Sequence, residues 1–445
     1  MNGIKTFPKG GVHPHGNKKA ISSQKISSSQ PIKNAHVPSM AVIAMSQHIG
    51  KQAECTVAVG DEIKEGMLVG KASGFVSANI HSPIPGIVKS ITEIYLPHGV
   101  KTKAIVLEFQ GEFERSGKAF EKKTWIGMSP EELNGFVADM GIVGLGGATF
   151  PTHVKYTIKP EQKIDSLVIN GVECEPFLTA DHRLMLEKPD EILEGIEIVK
   201  AITGIRNVYI GIEENKTDAI SHLKHKIQEK KLDYTVVSLK VKYPQGDEKM
   251  LLKAILGREV PSGGLPIDVG AIVSNVGTVF AVYEAIVWRK PLTERVITIS
   301  GSGVKYPSNL KVRIGTKISE IIEECGGYRG KPGKIVLGGP MMGFAIADPD
   351  MPVTKGVSGI LVFNEKDSFK FQNDPCIRCG RCIRACPWNL MPTLMYKEIE
   401  NQDYTGALAM GLMDCKECGS CAFVCPSCIP LVQIFKYGKL LSSKK

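Results

Sequence analysis

The stretch Gly141-Ile-Val-Gly144-Leu-Gly146-Gly147-Ala-Thr-Phe150-Pro151-Thr152-His-Val-Lys155 heads an alternating pattern of strands and helices, and that alternation decides the fold. Before it, Ser129-Pro130 opens a helix over 130–140, a start that a hydroxyl N-cap followed by proline favours. After it come a strand at 166–170, a helical stretch at 190–202, a strand at 207–212, a helix at 216–230 and a strand at 234–241. Helices over 248–256 and 271–288 follow. This order predicts an α/β fold, a mostly parallel Rossmann-like sheet with helices on both faces. The glycines let a backbone approach a ligand closely and turn its N–H groups toward a phosphate or a ring edge. Neither common phosphate fingerprint is met: Thr149 stands where a dinucleotide motif has its third glycine, and no Gly-Lys-Ser/Thr follows. From its residues alone, the loop is either a ligand-binding turn or a plain glycine-rich one.

The cysteines carry a second signal. Of 12, Cys55, Cys174 and Cys325 are scattered and the rest crowd between Cys376 and Cys428. Eight of these repeat one spacing: Cys376, Cys379, Cys382, Cys386-Pro387, then Cys415, Cys418, Cys421, Cys425-Pro426. That is the run of bacterial two-cluster ferredoxins, in which the fourth cysteine of each motif ligates the other cluster. Three thiolates on a tight turn grip three irons of a cubane, and the fourth points away to its neighbour. Cys376, Cys379, Cys382 and Cys425 are therefore assigned to one [4Fe–4S] cluster, and Cys386, Cys415, Cys418 and Cys421 to a second. Gly380 and Gly419 let the loops wrap closely. Structural zinc would use paired two-cysteine knuckles, and disulfides between cysteines this close would be strained. Cys428 is extra and reads as a spare thiol beside a cluster.

Length and composition agree with several folded domains. At 445 residues, 43% hydrophobic and 23% charged, the chain can bury real cores and is not mainly disordered. No stretch of about 20 uncharged apolar residues is present, so no membrane span is expected. The net charge of +9 gathers at the ends, with no acid before Glu54 and none after residue 428. Basic ends on a near-neutral body suit an acidic partner, a membrane surface or mere solubility, and argue against a nucleic-acid binder. The N-terminus has no apolar core of a secretory signal and reads as uncleaved and cytosolic.

Residues 1–110 read as a β-rich, barrel-sandwich-like domain. The pattern at 59–71 and again at 82–88 resembles the half-repeats of biotinyl and lipoyl domains. The stretch between them, 72–81, holds no lysine, so a structural domain is expected rather than a swinging carrier. A polar linker covers 111–125, and the α/β domain spans 126–290. A β-grasp pattern occupies 292–345, with a strand at 295–300, a helix at 317–325 and a strand at 334–337. The ferredoxin-like domain spans 370–428. A basic amphipathic tail, 429–445, places Leu431, Ile434, Phe435 and Leu441 on one side of a helix.

The glycine-rich stretch resembles the nucleotide- and flavin-binding loop in the NADH-oxidising flavoprotein subunit of respiratory complex I. The resemblance continues at Asn170-Gly-Val-Glu173-Cys-Glu175-Pro176, at Gly246-Asp247-Glu248-Lys249 and at Ser274-Asn275-Val276-Gly277-Thr278. Val172, Asp247, Ser274 and Gly277 depart from that family's pattern. With the Gly10-Gly11-Val12-His13-Pro14 start and the domain order, the whole chain resembles the RnfC family. Its members are subunits of the Rnf complex, the membrane-bound, ion-translocating ferredoxin:NAD+ oxidoreductase of bacteria. Gly147-Ala148-Thr149 is similar to the site at which other Rnf subunits hold FMN covalently on threonine. Gly146 stands in the Ser/Thr position of that motif, so non-covalent FMN is expected.

The resemblance implies residue roles. Gly144, Gly146 and Gly147 let FMN and NAD(H) stack against the loop, and Lys155 neutralises the flavin phosphate. Asn170 and Asn275 hydrogen-bond the flavin or its ribityl chain, and Glu173 and Glu175 orient the nicotinamide. Phe150 stacks on a nucleotide ring or packs in the core, and Glu173 is alternatively a helix-capping acid. No general acid or base is needed, since nicotinamide and flavin carry the chemistry. The implied partners are the other Rnf subunits, among them integral ones and the iron–sulfur protein RnfB, with ferredoxin met indirectly. The implied place is peripheral, on the cytoplasmic face of the bacterial inner membrane. The competing reading is an electron-relay or scaffold subunit of a quinone-linked complex that binds no nucleotide.

Overall fold

The computed structural model describes residues 3–14, 25–113, 122–368 and 373–442. At its centre Tyr234–Leu239, Asn207–Glu213, Ser166–Asn170 and Ala271–Asn275 lie side by side in that order, all parallel. Their near-continuous apolar runs are what a sheet covered on both faces demands. Helices Pro189–Thr203 and Val276–Val287 bury one face through Ile192, Ile196, Val199, Val279, Val282 and Ile286. In chain order the sheet runs 3-2-1-4, so it reverses between Ser166–Asn170 and Ala271–Asn275. Open α/β sheets bind ligands beyond the carboxyl ends of strands at such a reversal. Asn170 and Asn275 end these two strands and sit opposite each other in register.

The helix expected over 271–288 is a strand followed by a helix, Val276–Val287. One apolar run covers both, and periodicity alone does not divide such a run. Asn275 divides it: its side chain accepts from Gly277 N at 2.9 Å as an N-cap. A helix at Ala180–Glu187 is also present where none was expected.

The N-terminal region folds mainly as two small antiparallel sheets. One has Met40–Ala44, Lys101–Phe109, Gly86–Tyr95 and Glu62–Ile63; the other has Glu54–Cys55, Leu68–Lys71 and Ile80–His81. Both close over one core containing Ile43, Met45, Val69, Ile84 and Ile105. The sheet of the third region is larger than the 292–345 segment expected for it. Its six strands run Ile32–Asn34, Ser308–Arg313, Glu294–Ser300, Gly359–Asn364, Pro332–Leu337 and Phe344–Ile346. The first comes from the N-terminal region and pairs parallel with Ser308–Arg313.

The C-terminal region is helical, with Arg381–Ala385, Pro392–Glu400, Tyr404–Ala409, Ser420–Phe423 and Leu431–Ser442. The tail expected to offer an apolar stripe to a surface turns that stripe inward. Leu431 and Phe435 are fully buried in a core with Met395, Ile399 and Leu412. Lys439 and Lys436 pair with Glu417, so these lysines hold the neighbouring cysteine loop. Lys18, Lys19, Lys444 and Lys445, also counted among the basic ends, lie outside the described residues. No helix among the described residues is long and apolar enough to cross a membrane.

Candidate functional site

The glycine-rich loop is a tight hairpin over the strand ends. Val143 bridges Pro151, and Gly144 N donates to Phe150 O at 2.9 Å. Its tip, Gly146 to Ala148, is exposed, and Phe150 is half-buried. Gly147 has φ +148°, and a Cβ there would meet nothing within 4 Å, so the tip presents bare backbone to open space. Gly146 serves a different purpose. A Cβ there would lie 2.9 Å from the Cβ of Asn275, so the missing side chain lets the loop close on the strand end.

The two asparagines hold this crevice together. Asn275 Nδ2 donates to Asp181 Oδ2 at 2.7 Å. Asn170 Nδ2 donates to Gly246 O at 2.8 Å, and its Oδ1 accepts from Val172 N at 3.2 Å. Lys155 lies beside them, donating to Val273 O at 3.1 Å and pairing with Glu248. Glu173 is a capping acid: Oε1 accepts from Asp181 N at 2.8 Å and Oε2 from His182 N at 3.3 Å, at the start of helix Ala180–Glu187. Burial, and then the charge of Glu173, push the Asp181 carboxyl up, against the Asn275 hydrogen bond. Glu175 reaches to the third region, accepting from Met341 N at 3.0 Å and Met342 N at 2.9 Å.

Lys25, Lys355 and Arg295, buried cations behind the crevice, were not foreseen. Lys25 Nζ donates to the carbonyls of Glu173 and Glu175, each at 3.0 Å, and to that of Leu178; burial lowers its pKa to about 8. Lys355 Nζ donates to Asn79 O and Gly141 O, both at 2.7 Å, and burial lowers it to about 7. Arg295 donates to Leu145 O at 3.2 Å and to Lys355 O, and burial lowers it to about 10. Each binds backbone carbonyls distant in sequence, so no local pattern announces it.

The cysteines line two cavities in the expected crossed sets. Cys386, Cys415, Cys418 and Cys421 border one, and Cys376, Cys379, Cys382 and Cys425 the other. Each cavity is lined by four cysteines, and four thiolates are the donor set of a [4Fe–4S] cluster, so the residues present fit that group. Trp388 also lines the first cavity, and its Nε1 is buried without a partner, as a donor awaiting a sulfide would be. The two motifs repeat one backbone. Gly380 and Gly419 have φ +70° and +81°, Arg378 and Glu417 have +54° and +56°, and Asn389 and Cys428 have +57° and +50°. Cys428 thus takes the left-handed position that Asn389 holds in the first motif.

The first cavity is the inner one. Tyr243 Oη donates to Cys418 O at 2.7 Å, and Gly11 N to Ala385 O at 2.9 Å. Val12 bridges Tyr243, so the Gly10–Pro14 segment straps the cysteine module to the central sheet. A Cβ on Gly419 would lie 2.9 Å from Met341 O, in the turn that Glu175 holds. The second cavity faces outward: Cys379 is exposed, as is Ile377 at 66%.

Comparison with known proteins agrees with this architecture. The RnfC barrel sandwich hybrid domain matches residues 5–112 and the Nuo51 FMN-binding domain residues 137–284. An SLBB domain matches 296–345 and a 4Fe–4S dicluster domain 368–426. These domains, with the cysteine-lined cavities, define a flavin- and iron–sulfur-binding electron-transfer protein. The C subunit of the proton-translocating ferredoxin:NAD(+) oxidoreductase complex of Clostridium ljungdahlii is 45% identical, over 88% of this chain and 84% of its own. The C subunit of the ion-translocating oxidoreductase complex of Rhodobacter capsulatus is 40% identical, over 97% and 82%. The Na(+)-translocating counterpart of Acetobacterium woodii is 40% identical, over 86% and 85%. The chain belongs to the RnfC family of ion-translocating oxidoreductase complexes.

Proposed function

We propose that this chain exchanges a hydride with NAD(H) through non-covalent FMN seated at the 141–155 loop, and relays single electrons through two [4Fe–4S] clusters. It works as a peripheral subunit on the cytoplasmic face of the cell membrane. Its partners are the other members of the complex, including integral ones and the iron–sulfur protein RnfB, with ferredoxin met indirectly. The complex couples electron transfer between ferredoxin and NAD+ to ion movement. Bound at the crevice, FMN supplies the conversion between two-electron and one-electron transfer.

One observation carries the reading. Glu175, from the loop after the strand Ser166–Asn170, holds the turn whose Met341 carbonyl lies against Gly419 of the inner cysteine loop. Glu175 and this turn thus link the crevice to the wall of the inner cavity. The inner set would be Cys386, Cys415, Cys418 and Cys421, and the outer set Cys376, Cys379, Cys382 and Cys425. Gly144, Gly146 and Gly147 would admit the planar rings, with Phe150 at their edge. Asn170, Asn275, Glu173 and Glu175 would fix the crevice walls by their own hydrogen bonds, and Lys155 would turn from Glu248 to the flavin phosphate.

Anaerobic titration of the purified holoprotein with NADH tests this. Flavin bands that bleach, followed by bleaching of the cluster absorption, support it. Flavin or cluster absorption that does not respond to NADH favours a relay or scaffold subunit that binds no nucleotide.

A further inference from the structure

The two cysteine motifs share one backbone but not one surface. Arg378, Arg381 and Arg384 occupy positions that Glu417, Ser420 and Phe423 hold in the second motif. The turn and its helix form equally well with either set, so the fold does not need the arginines. All three are exposed, and none forms an ion pair among the described residues. Among the described residues, the one side-chain hydrogen bond of the group is Arg384 Nη2 to Cys379 O at 3.4 Å. In the inner motif, by contrast, Glu417 is paired with Lys436 and Lys439. Asp374 is the one acid between residues 373 and 386. The arginines therefore surround the most exposed cysteine of the outer set, with Ile377 as an apolar centre.

The inner set has cations of its own, but they are tied into the module: Lys416 lines its cavity, and Lys439 donates to Cys415 O at 2.6 Å and pairs with Glu417. The outer arginines have no such carboxylate partner among the described residues. We propose that the face formed by Ile377, Arg378, Cys379, Arg381 and Arg384 is the docking surface for an acidic electron-transfer protein, whose redox group is brought against the Cys379 edge of the outer cluster. Unpaired like charges around an apolar centre accelerate encounter with an opposite charge and fix its orientation, and salt weakens them. This rests on the electron relay proposed above but not on NAD(H) being the donor.

Opposite-charge protein acceptors test it. The holoprotein is reduced either by NADH or by deazaflavin photoreduction and mixed with acidic plastocyanin or basic cytochrome c. Cluster reoxidation is followed by stopped flow. The acidic acceptor should react about tenfold faster at low salt, and lose that advantage between about 20 mM and about 300 mM ionic strength. Arg378→Gln, Arg381→Gln and Arg384→Gln together should abolish the advantage, with iron content and cluster potentials unchanged. The triple lysine variant should keep it. Should the glutamine variant lose iron, Arg381→Gln alone should still cut the acidic rate about threefold. Equal rates with both acceptors, or an advantage that survives arginine removal in an iron-replete variant, overturns the proposal. Success after photoreduction with failure after NADH would overturn the NAD(H) reading and leave the docking face standing.

Discussion

Replacing Cys386 with alanine should destroy the cluster of the other motif, and the companion change Cys425→Ala should do the reverse. Cys386 lines the cavity of Cys415, Cys418 and Cys421, whereas Cys425 lines that of Cys376, Cys379 and Cys382. Each variant removes one thiolate of four, so iron should fall from about eight to about four atoms per chain in both. The consequences should differ because the cavities differ. Cys386 is 8% exposed, and its cavity adjoins Tyr243, Gly11 and the Met341 turn. Cys386→Ala should therefore break the path from the crevice, leaving an outer cluster that dithionite reduces and NADH does not. Cys425→Ala should leave an inner cluster that NADH still reduces, while transfer to external one-electron acceptors drops. Iron analysis and paramagnetic resonance after each reductant read both effects, and Cys386→Ser checks that alanine has not merely unfolded the module. If Cys386→Ala abolished the signal of the Cys376, Cys379 and Cys382 set and spared the other, the crossed arrangement would be wrong. If both variants responded to NADH alike, the inner and outer assignment would fail.

Gly146→Val should abolish flavin binding while iron content stays normal, because a Cβ already lies 2.9 Å from Asn275 and a branched side chain pushes the loop off the strand end; an unchanged flavin content refutes it. Burial pushes the Glu175 carboxyl up to about 7 from its ordinary 4.5. The fold thus favours the protonated form, so this group's contribution is fullest at acid pH and is lost as pH rises from 4.5 toward about 7. Glu175→Gln should remove that slope, and identical pH dependence of the thermal midpoint in both proteins counts against it. Trp388→Phe should lower the potential of the inner cluster, since an N–H donor to a cluster sulfur favours the reduced state. A redox titration showing no change would mean that Nε1 points elsewhere.

How much of this was legible depended on where each residue's partners lie. The cysteine sets were readable because their chemistry is written in short spacings, and the cavities pair them as the spacing implies. The loop and its following strand were readable from glycine content and alternation. The strand Ala271–Asn275 was not, because its apolar run continues into the helix and only Asn275 marks the break. Leu431 and Phe435 showed that one helix face is covered but not by what, and the cover is the module's own core. For Glu173 the sequence offered two roles, orienting the nicotinamide or capping a helix, and its carboxylate accepts from the N–H of Asp181, eight residues on. Lys25 and Lys355 were beyond reach: their carbonyl partners stand 148 to 276 positions away.

The strap at Gly10–Pro14 sets a schedule for making this protein. These residues are synthesised well before Tyr243, Ala385 and Cys386, from which their seat is built. A Cβ on Gly10 would lie 2.4 Å from Cys386 O, so the fit leaves no slack for a partly formed module. The strand Ile32–Asn34 likewise waits for Ser308–Arg313. Long-range pairings of this kind form late. The opening segment must therefore stay unseated through most of synthesis and close only once the cysteine module has taken shape. Cys386, whose carbonyl lies against Gly10, also lines the inner cavity, so seating of the strap and completion of that cavity depend on one residue.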